Sequence, residues 1–460
     1  MLQQATGRSS FFPALRGNLP QIVRGEGIYI FDDEGRRYID GAGGLGGVTS
    51  IGHGVQEIVE AMVRQARQVC FIPAFQFISP TVLELCDRIA AITPGDLNRV
   101  MLLSGGSEAT ESAVKLARQH HVERGNAGKF KVIARWQGFH GMTLGATGFG
   151  GHTGRRRKYA PMLQEATHIG PAYRYRCRFC ASASRCTLAC AEELERAIRW
   201  EGPENVAAFI AEPVVGAAMG AVPAPEGYFQ AVREICDRYD VLFIADEVIC
   251  GFGRTGRAFA IEHWDVVPDI LVAGKGLSGG YTPLSAVIAR ERVLEPLERN
   301  GSAFVAGHTY GQNPLSAAVG LAVLEYVQQH DLVRRAAEMG AYLLQRLERL
   351  RRHPIVGDVR GLGLLAGVEF VRDPGTKEPF RPELRAAHRV TRAAMERGLV
   401  VYPGVGTADG LAGDHVLLAP PLVIARHEVD RLVEALDAAV EAVATPLLEQ
   451  ERAAPTTPTS

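Results

Sequence analysis

One lysine is distinguished by its position between two glycines. The chain has six lysines against 44 arginines, and Lys275 directly follows the apolar run 270–273, flanked by Gly274 and Gly276. A lysine that leaves a core strand is poorly explained as a solvated surface charge. Partial burial would lower its pKa and make its amine a nucleophile towards carbonyl groups. The alternative is an ordinary loop lysine.

Acidic and hydroxyl side chains follow two other apolar runs. Asp246 and Glu247 end the run 241–245, and α/β enzymes bind ligands at such carboxyl ends of strands. The segment 104–108 (SGGSE) follows another apolar run and opens a helical pattern. The free N–H groups of a helix start, with serine hydroxyls beside them, suit a phosphate group. A simple N-cap role for Ser107 is the alternative, and the two roles are compatible.

The segment 251–256 (GFGRTG) fits the G-x-G-x-x-G pattern of dinucleotide-binding loops. Such a loop opens a helix and is followed by an acidic residue about 20 positions later. Here the next segment, 258–265, is too short for that helix. The expected position of the acidic residue falls around 273–276 (AGKG), which contains no acid. This weak match is the sole support for an NAD-dependent dehydrogenase, which is a distant alternative.

Four cysteines lie within a stretch of 14 residues that is part of an arginine-rich segment. Their spacing and their number resemble a tetrathiolate zinc or iron–sulfur site, and neighbouring arginines would favour thiolates. Free thiols, or a disulfide that orders a surface insertion, are the alternative. A non-enzymatic scaffold built around this cluster is a further one. The predicted metal ligands are Cys177, Cys180, Cys186 and Cys190.

The overall charge excludes two classes of partner. The net charge is −1 and the pI is near 6.9, so no general field attracts nucleic acid or anionic lipid. The basic run 155–158 (RRRK) is expected to be a solvated loop or a contact for an anionic substrate. The longest uncharged run, 304–324, is too polar to cross a bilayer. We expect a cytoplasmic enzyme with neither nucleic-acid nor membrane partners.

An α/β framework is expected to position these residues. Apolar residues make up 47% and charged residues 22% of the 460 residues, which is typical of a globular protein. Between about 81 and 330, apolar runs alternate with helical patterns, which predicts a mostly parallel sheet covered by helices. The expected strands of this sheet are 100–103, 132–134, 208–211, 241–245, 270–273 and 285–289.

A smaller α+β region is expected after residue 330. Two long helical patterns there, 331–352 and 383–397, flank a strand-like piece at 364–370. The N-terminal strands at 22–40 would join this region in one small domain. The expected division is 1–75 for the N-terminal part of the small domain, 76–330 for the large domain, 331–446 for the C-terminal part of the small domain and 447–460 for a disordered tail.

In combination, these motifs resemble those of the class III, pyridoxal-phosphate-dependent aminotransferases of fold type I. The resemblance covers nearly the whole chain and is closest to the ω-amino acid and taurine–pyruvate aminotransferases. It implies a seven-stranded large domain, pyridoxal 5′-phosphate (PLP) as the cofactor, and a homodimer with shared active sites, with a tetramer as a larger alternative. The motifs that carry it are 27–45 (GIYIFDDEGRRYIDGAGGL), 104–118 (SGGSEATESAVKLAR), 138–141 (GFHG), 211–213 (AEP), 241–288 and 307–314 (GHTYGQNP).

The resemblance also implies a role for each site residue. Lys275 would form a Schiff base with the cofactor and then act as the base that moves a proton on the substrate. Asp246 would pair with the pyridinium nitrogen and keep the ring an electron sink. The other implied cofactor contacts are Gly106 and Ser107 at the phosphate, Phe139 and Val248 on the two ring faces, His140 close by, Glu212 near the cofactor hydroxyl, and Thr309 from the neighbouring subunit.

Two features depart from the family pattern. Many members that use α-keto acids carry a substrate-binding arginine just before the segment corresponding to 413–422, whereas this chain has no arginine between Arg397 and Arg426. The carboxylate must then be recognised from elsewhere, or the donor is not a typical α-amino acid. The glycine-rich loop 41–47 also lacks the bulky aromatic residue of several ω-aminotransferases.

The expected reaction is a ping-pong transamination. An amino group would move from a primary amine or an ω-amino acid, such as β-alanine or taurine, to a keto acid, with pyruvate as the expected acceptor. The pair Lys275 and Asp246 is shared with other class III reactions, so a racemase, an aminomutase, a phospho-lyase and a decarboxylating transaminase are the alternatives.

Overall fold

The computed structural model describes residues 19–180 and 185–453. Its largest sheet has seven strands, and one of the smaller sheets, β1-β2-β3-β15, combines strands from both ends of the chain. The strands are β1 (Ile22–Glu26), β2 (Tyr29–Asp32), β3 (Arg37–Asp40), β4 (Leu97–Leu103), β5 (Lys131–Arg135), β6 (Thr167–Ile169), β7 (Val206–Ala211), β8 (Val214–Val215), β9 (Val222–Pro223), β10 (Leu242–Asp246), β11 (Ile270–Ala273), β12 (Ser285–Arg290), β13 (Val356–Leu362), β14 (Leu365–Phe370), β15 (Leu399–Val400), β16 (Tyr402–Val405) and β17 (Asp414–Leu418).

Helices surround the sheets and include one long C-terminal element. Among the described residues, seven further short segments have tighter or irregular helical turns, namely 43–47, 160–162, 174–176, 260–264, 275–277, 348–352 and 382–384. The α-helices are α1 (Gln56–Gln68), α2 (Pro80–Ala90), α3 (Gly106–Glu123), α4 (Leu144–Phe149), α5 (Thr153–Arg156), α6 (Ala189–Glu201), α7 (Tyr228–Arg238), α8 (Glu291–Arg299), α9 (Pro314–Gln329), α10 (Leu332–Leu347), α11 (Ala386–Glu396) and α12 (Arg426–Ala453).

The seven-stranded sheet has the order β4-β12-β11-β10-β7-β5-β6. The strand β12 is antiparallel to both of its neighbours, β11 and β4, and the pairs among β11, β10, β7, β5 and β6 are parallel. This confirms the predicted mostly parallel sheet of seven strands.

Helices on both faces explain why the central strands are apolar throughout. Along β10, Phe243 packs with Phe229 of α7 in one hydrophobic cluster, whereas Ile244 packs with Leu116 of α3 in another. Every residue of β7, β10 and β11 is buried. The alternation of side chains across a strand thus fills two cores instead of one core and a solvated face.

The N-terminal strands lie beside C-terminal elements. The strand β15 pairs in parallel with β3, and Ile28 and Ile39 share a hydrophobic cluster with Leu432 and Leu436 of α12. A second four-stranded sheet, β13-β14-β17-β16, is antiparallel. The domain boundaries themselves stay a prediction.

The expected disordered tail at 447–460 is corrected over its first seven residues, which continue α12 to Ala453. The reason is the apolar stripe of this helix, which runs past Val440 and Ala444 to the fully buried Leu447. Glu451 adds an ion pair with Arg381. Residues 454–460 lie outside the described residues.

The described helices include none that is long and apolar enough to span a lipid bilayer.

Candidate active site

The carboxyl ends of β4, β10 and β11 bring the predicted chemistry together. The start of α3 follows β4, Asp246 ends β10, and Lys275 follows β11. They border a cavity of about 270 Å³. Eight of the nine residues that the sequence assigns to the cofactor line it, namely Gly106, Ser107, Phe139, His140, Glu212, Asp246, Val248 and Lys275.

Asp246 and His140 form a buried pair at the floor of the cavity. His140 Nδ1 lies 2.7 Å from Asp246 Oδ2, and both side chains are at most 4% exposed. The N–H of Val248 donates to the other oxygen, Oδ1, at 3.0 Å. Both oxygens of Asp246 thereby accept a hydrogen bond, provided that His140 carries its proton on Nδ1. This arrangement fixes the orientation of the carboxylate.

Lys275 supplies an amine that is ready to react. Burial lowers the pKa of Lys275, although the negative charges of Asp246 and Glu212 act in the opposite direction. Its ammonium group has no hydrogen-bond partner among the described residues. Its backbone has φ 39°, in the left-handed region that a non-glycine residue rarely adopts. The amine is therefore held at the end of β11 by the backbone rather than by a partner.

The start of α3 forms an anion site. The first helical hydrogen bond there runs from Ala109 N–H to the carbonyl of Gly105, so the N–H groups before Ala109 remain available to a ligand. A Cβ at Gly106 would come within 3.1 Å of Val248 and narrow the cavity. Ser107 lies in the first turn rather than at the N-cap, and its Oγ accepts from Met142 N–H at 3.0 Å.

Glu212 fixes the loop that carries Phe139 and His140. Its Oε1 accepts from Phe139 N–H and its Oε2 accepts from Gly216 N–H, both at 2.9 Å. Burial raises the pKa of Glu212. This carboxylate is therefore a positioning group for one wall of the cavity.

The residues present fit PLP, the cofactor that the resemblance implies. The cavity is lined by the start of α3, whose N–H groups suit a phosphate, by the Asp246 carboxylate and by the Lys275 amine. The buried Nε2 of His140 has no hydrogen-bond partner among the described residues, so a polar group in the cavity could satisfy it. The donor set thus has the charges that a phosphorylated pyridine with an aldehyde requires.

Thr309 lies outside this cavity. It is exposed in the turn region before α9, and its neighbour His308 comes within 3.6 Å of Glu108 Oε1 in the first turn of α3. Next to it, the exposed Tyr310 ring lies 6.0 Å from that of Phe71. The expected contact of Thr309 with the cofactor of the neighbouring subunit stays a prediction.

The predicted metal site is corrected. Among the described residues, no group of three or more His, Cys, Asp or Glu side chains could hold a metal ion. The thiols lie near one another, but Cys177, Cys180 and Cys190 are buried in the main hydrophobic cluster. Burial raises the pKa of Cys190 to about 12, and the sulfur atoms of Cys180 and Cys186 lie 3.8 Å apart as free thiols.

The segment 251–256 does not form a dinucleotide loop. The buried Arg254 donates to the carbonyls of Leu364 and Pro420, and burial lowers its pKa to about 10. A Cβ at Gly256 would lie 2.7 Å from Ala337. These close contacts join the large sheet to the C-terminal elements, and the segment leads into the short turn 260–264 instead of opening a long helix.

Sequence reasoning missed three residues near the cavity. Ser278 and Thr282 line it, and the guanidinium of Arg155 lies 4.2 Å from the centre of the Phe139 ring. Ser278 and Thr282 could have been found from their closeness to Lys275 in the sequence. For Arg155, the basic run 155–158 was compatible both with a solvated loop and with a contact for an anionic substrate.

Comparison with known proteins is consistent with this site. Residues 15–440 match the profile of the family Aminotransferase class-III. The Bacillus subtilis aminotransferase YodT is 39% identical over 433 residues, covering 94% of this chain and 97% of its own length. The putrescine–pyruvate aminotransferase of Pseudomonas aeruginosa is 36% identical over 414 residues, covering 90% and 88% of the two chains.

A solved structure gives the same result for the fold. The (S)-enantioselective omega-transaminase of Thermomicrobium roseum superposes with a TM-score of 0.86 at 37% identity, covering 95% of each chain. This agreement in sequence and fold confirms the resemblance and the fold type I architecture. The chain belongs to the class III aminotransferase family.

Proposed function

We propose that this PLP-dependent aminotransferase moves an amino group from a primary amine or an ω-amino acid to a keto acid, with pyruvate as the acceptor, in a ping-pong cycle. The observation that carries the proposal is a single cavity bordered by the Lys275 amine, the Asp246–His140 pair and the N-terminus of α3. An amine, a fixed carboxylate and a phosphate site are the groups that this chemistry needs.

Two similar proteins support the finer assignment. The Pseudomonas aeruginosa relative is named for putrescine and pyruvate, and the Thermomicrobium roseum enzyme is named an omega-transaminase. Another relative, from Halomonas elongata, is named for diaminobutyrate and 2-oxoglutarate, so the acceptor requires a direct test. Both named donors, putrescine and diaminobutyrate, carry a primary amine at the end of a carbon chain.

The residues of the chain divide the work in the proposed cycle. When bound, PLP supplies an aldehyde for Schiff-base chemistry and a ring that takes up electron density. The lowered pKa of Lys275 favours the neutral amine, which can take the proton from the substrate carbon and return it. Asp246, held by His140 and Val248, would pair with the nitrogen of the cofactor ring. The start of α3 holds the phosphate through Gly106 and Ser107.

We further propose that the active unit is a homodimer. The segment near Thr309 exposes Val305 at 81%, and the loop before α2, whose Phe71 ring lies near Tyr310, exposes Phe75 at 87%. Exposed apolar patches of this kind are typical of interfaces. A second copy of the chain on this face would bring its Thr309 to the phosphate end of the cavity.

The proposed compartment is the cytoplasm. All eight cysteines are free thiols in the structure, including the neighbouring Cys180 and Cys186. Free thiols at such short distance persist in a reducing compartment. Fractionation of the native cells, followed by an activity assay of each fraction, tests this assignment.

The visible absorption spectrum of the purified protein tests the proposed reaction. A cofactor band that bleaches when putrescine or β-alanine is added, and returns with pyruvate, would support it. A band that bleaches with amines and returns only with 2-oxoglutarate would change the acceptor. A band that no amine bleaches would replace the proposal by a racemase, lyase or mutase reaction. A protein that develops no band with PLP would contradict it.

A further inference from the structure

Arg155 differs from the other basic residues of the run 155–158. Arg156 donates to the backbone carbonyls of the turn after α4, and Arg157 is exposed. Arg155 is partly buried instead, with its guanidinium 4.2 Å from the centre of the Phe139 ring. Its Nη2 donates to the hydroxyl of Tyr402 at 2.9 Å. An aromatic face and a hydroxyl thus hold this guanidinium in place.

The guanidinium of Arg155 has no carboxylate partner among the described residues. It has five N–H donors, and the hydrogen bond to Tyr402 uses one of them. A partly buried cation without a counter-ion is costly, whereas planar carboxylates are the groups that a guanidinium binds in two-point contact. The remaining donors are therefore available to an anion from solution.

This cation lies at the cavity that holds the amine. Phe139, under the guanidinium, lines the cavity, and the positive charge of Arg155 is among the influences that lower the pKa of Lys275. Gln137 and Thr153, which lie on the chain before Arg155, hold this part of the structure against the loop after β16. Gln137 Nε2 donates to the carbonyls of Gly406 and Thr407, both at 2.8 Å, and Thr153 Oγ1 donates to Gly410.

We propose that Arg155 is the group that binds the substrate carboxylate, both in the keto acid acceptor and in an ω-amino acid donor. The inference rests on the proposed function and adds the specificity residue that it lacks. The substrates it selects are short monoanionic acids that reach from Arg155 to Lys275. Donors without an acid group would use the same cavity and leave Arg155 without an anion.

Matched substrates with and without the carboxylate test the role. In Arg155→Gln, the kcat/KM for pyruvate should fall by between about tenfold and a hundredfold, whereas the kcat/KM for the aldehyde propanal should stay within about twofold. β-Alanine and propylamine form the same comparison for donors. Arg155→Lys, which keeps the charge, should restore part of the loss. Arg157→Gln, an exposed neighbour, should change none of these values.

A binding experiment separates recognition from turnover. Propionate carries the carboxylate alone, and its Kd in the wild-type holoenzyme, measured by calorimetry, should be at least about tenfold lower than in Arg155→Gln. Equal losses with propanal and pyruvate would assign Arg155 to the fold and overturn the inference, as would unchanged propionate binding. A wild-type enzyme that does not transaminate any of these donors would instead overturn the proposed function.

Discussion

Lys275 combines an unfavourable backbone with a favourable environment for its chemistry. Its φ of 39° is a conformation that persists only where the surrounding structure imposes it. The residue lies between the buried strand β11 and Gly276, where a Cβ would lie 3.3 Å from Phe252. Burial then lowers the pKa of the amine. Position and basicity are thus set by separate features of the fold.

Replacement of this amine is the first prediction. Lys275→Ala should lose transaminase activity by more than about a thousandfold, because no other amine lines the cavity to move the proton. The variant should still bind PLP without a covalent bond, which its altered absorption band would show. Lys115→Ala, an exposed lysine of α3, is the control and should behave as the wild type. Substantial residual activity in Lys275→Ala would remove the lysine from its role.

Asp246→Asn is the second prediction. The amide keeps the size of the side chain and can accept from Val248 N–H, but its NH₂ group would face the Nδ1 atom of His140 and carry no negative charge. The rate of the half-reaction with a donor should fall by about a hundredfold to ten-thousandfold, measured by stopped-flow absorption. The circular dichroism spectrum should remain that of the wild type. A loss of less than tenfold would show that the carboxylate charge is not required.

At the scale of elements, the end of β10 places two acids on opposite sides. Asp246 faces the cavity, whereas Glu247 accepts from the N–H groups of Ala260 and Ile261, at 2.9 and 2.7 Å. Glu247 is fully buried, and burial raises its pKa to about 7. The first acid belongs to the site, and the second ties the segment 260–264 to the sheet.

The pH dependence of stability should reveal Glu247. Its pKa in the folded state is above the ordinary value, so between about pH 4.5 and 7 the folded state binds more protons than the unfolded state. Stability from this group is therefore present below that window and is lost as the pH rises through it, by on the order of 3 kcal/mol. Glu247→Gln cannot ionise and should flatten this part of the curve, measured by urea unfolding between pH 5 and 8. Glu226→Gln, at an exposed position, is the control, and a wild-type slope in Glu247→Gln would contradict the assignment.

The sequence predicts the strands and the turns that follow them better than it predicts the long-range contacts. Apolar runs that end in Asp246 or lead to Lys275 are local signals, and the structure has strands there. The three-residue strand β6 is too short to show a period. The helix α12 does carry an apolar stripe, with Val429, Leu432 and Leu436 all buried, so its extent could have been predicted.

The environment of Arg155 depends on tertiary packing, and the basic run 155–158 gave only an ambiguous local signal for it. Arg155 acquires its environment from Phe139 and Tyr402, which lie 16 residues before it and 247 residues after it. The cysteine cluster illustrates the opposite error. Its spacing suggested a metal site, but Cys177, Cys180 and Cys190 contribute to an apolar core instead.

At the scale of the whole molecule, one copy of the chain leaves an apolar surface exposed beside Thr309. Phe77, Ile78 and Tyr310 are each at least 61% exposed. A hydrogen bond from Asn313 to the carbonyl of Cys70 joins the turn before α9 to the loop before α2. In a two-fold dimer, the same patch would cover its equivalent. Thr309 would then contact the phosphate bound by the other subunit, and each active site would need both chains.

Heterodimers with separate tags can test this sharing. In a dimer of one Lys275→Ala chain and one Thr309→Asp chain, a shared arrangement leaves one complete site, because the intact Lys275 would meet the intact Thr309 of the other chain. This heterodimer should have about half the activity of the wild-type dimer, although each homodimer is impaired, the second by repulsion between aspartate and phosphate. When one chain carries both substitutions and its partner is wild type, both sites are damaged and activity should nearly vanish. If Thr309 serves its own subunit, the two heterodimers exchange their results, so activity only in the second one would contradict the shared site.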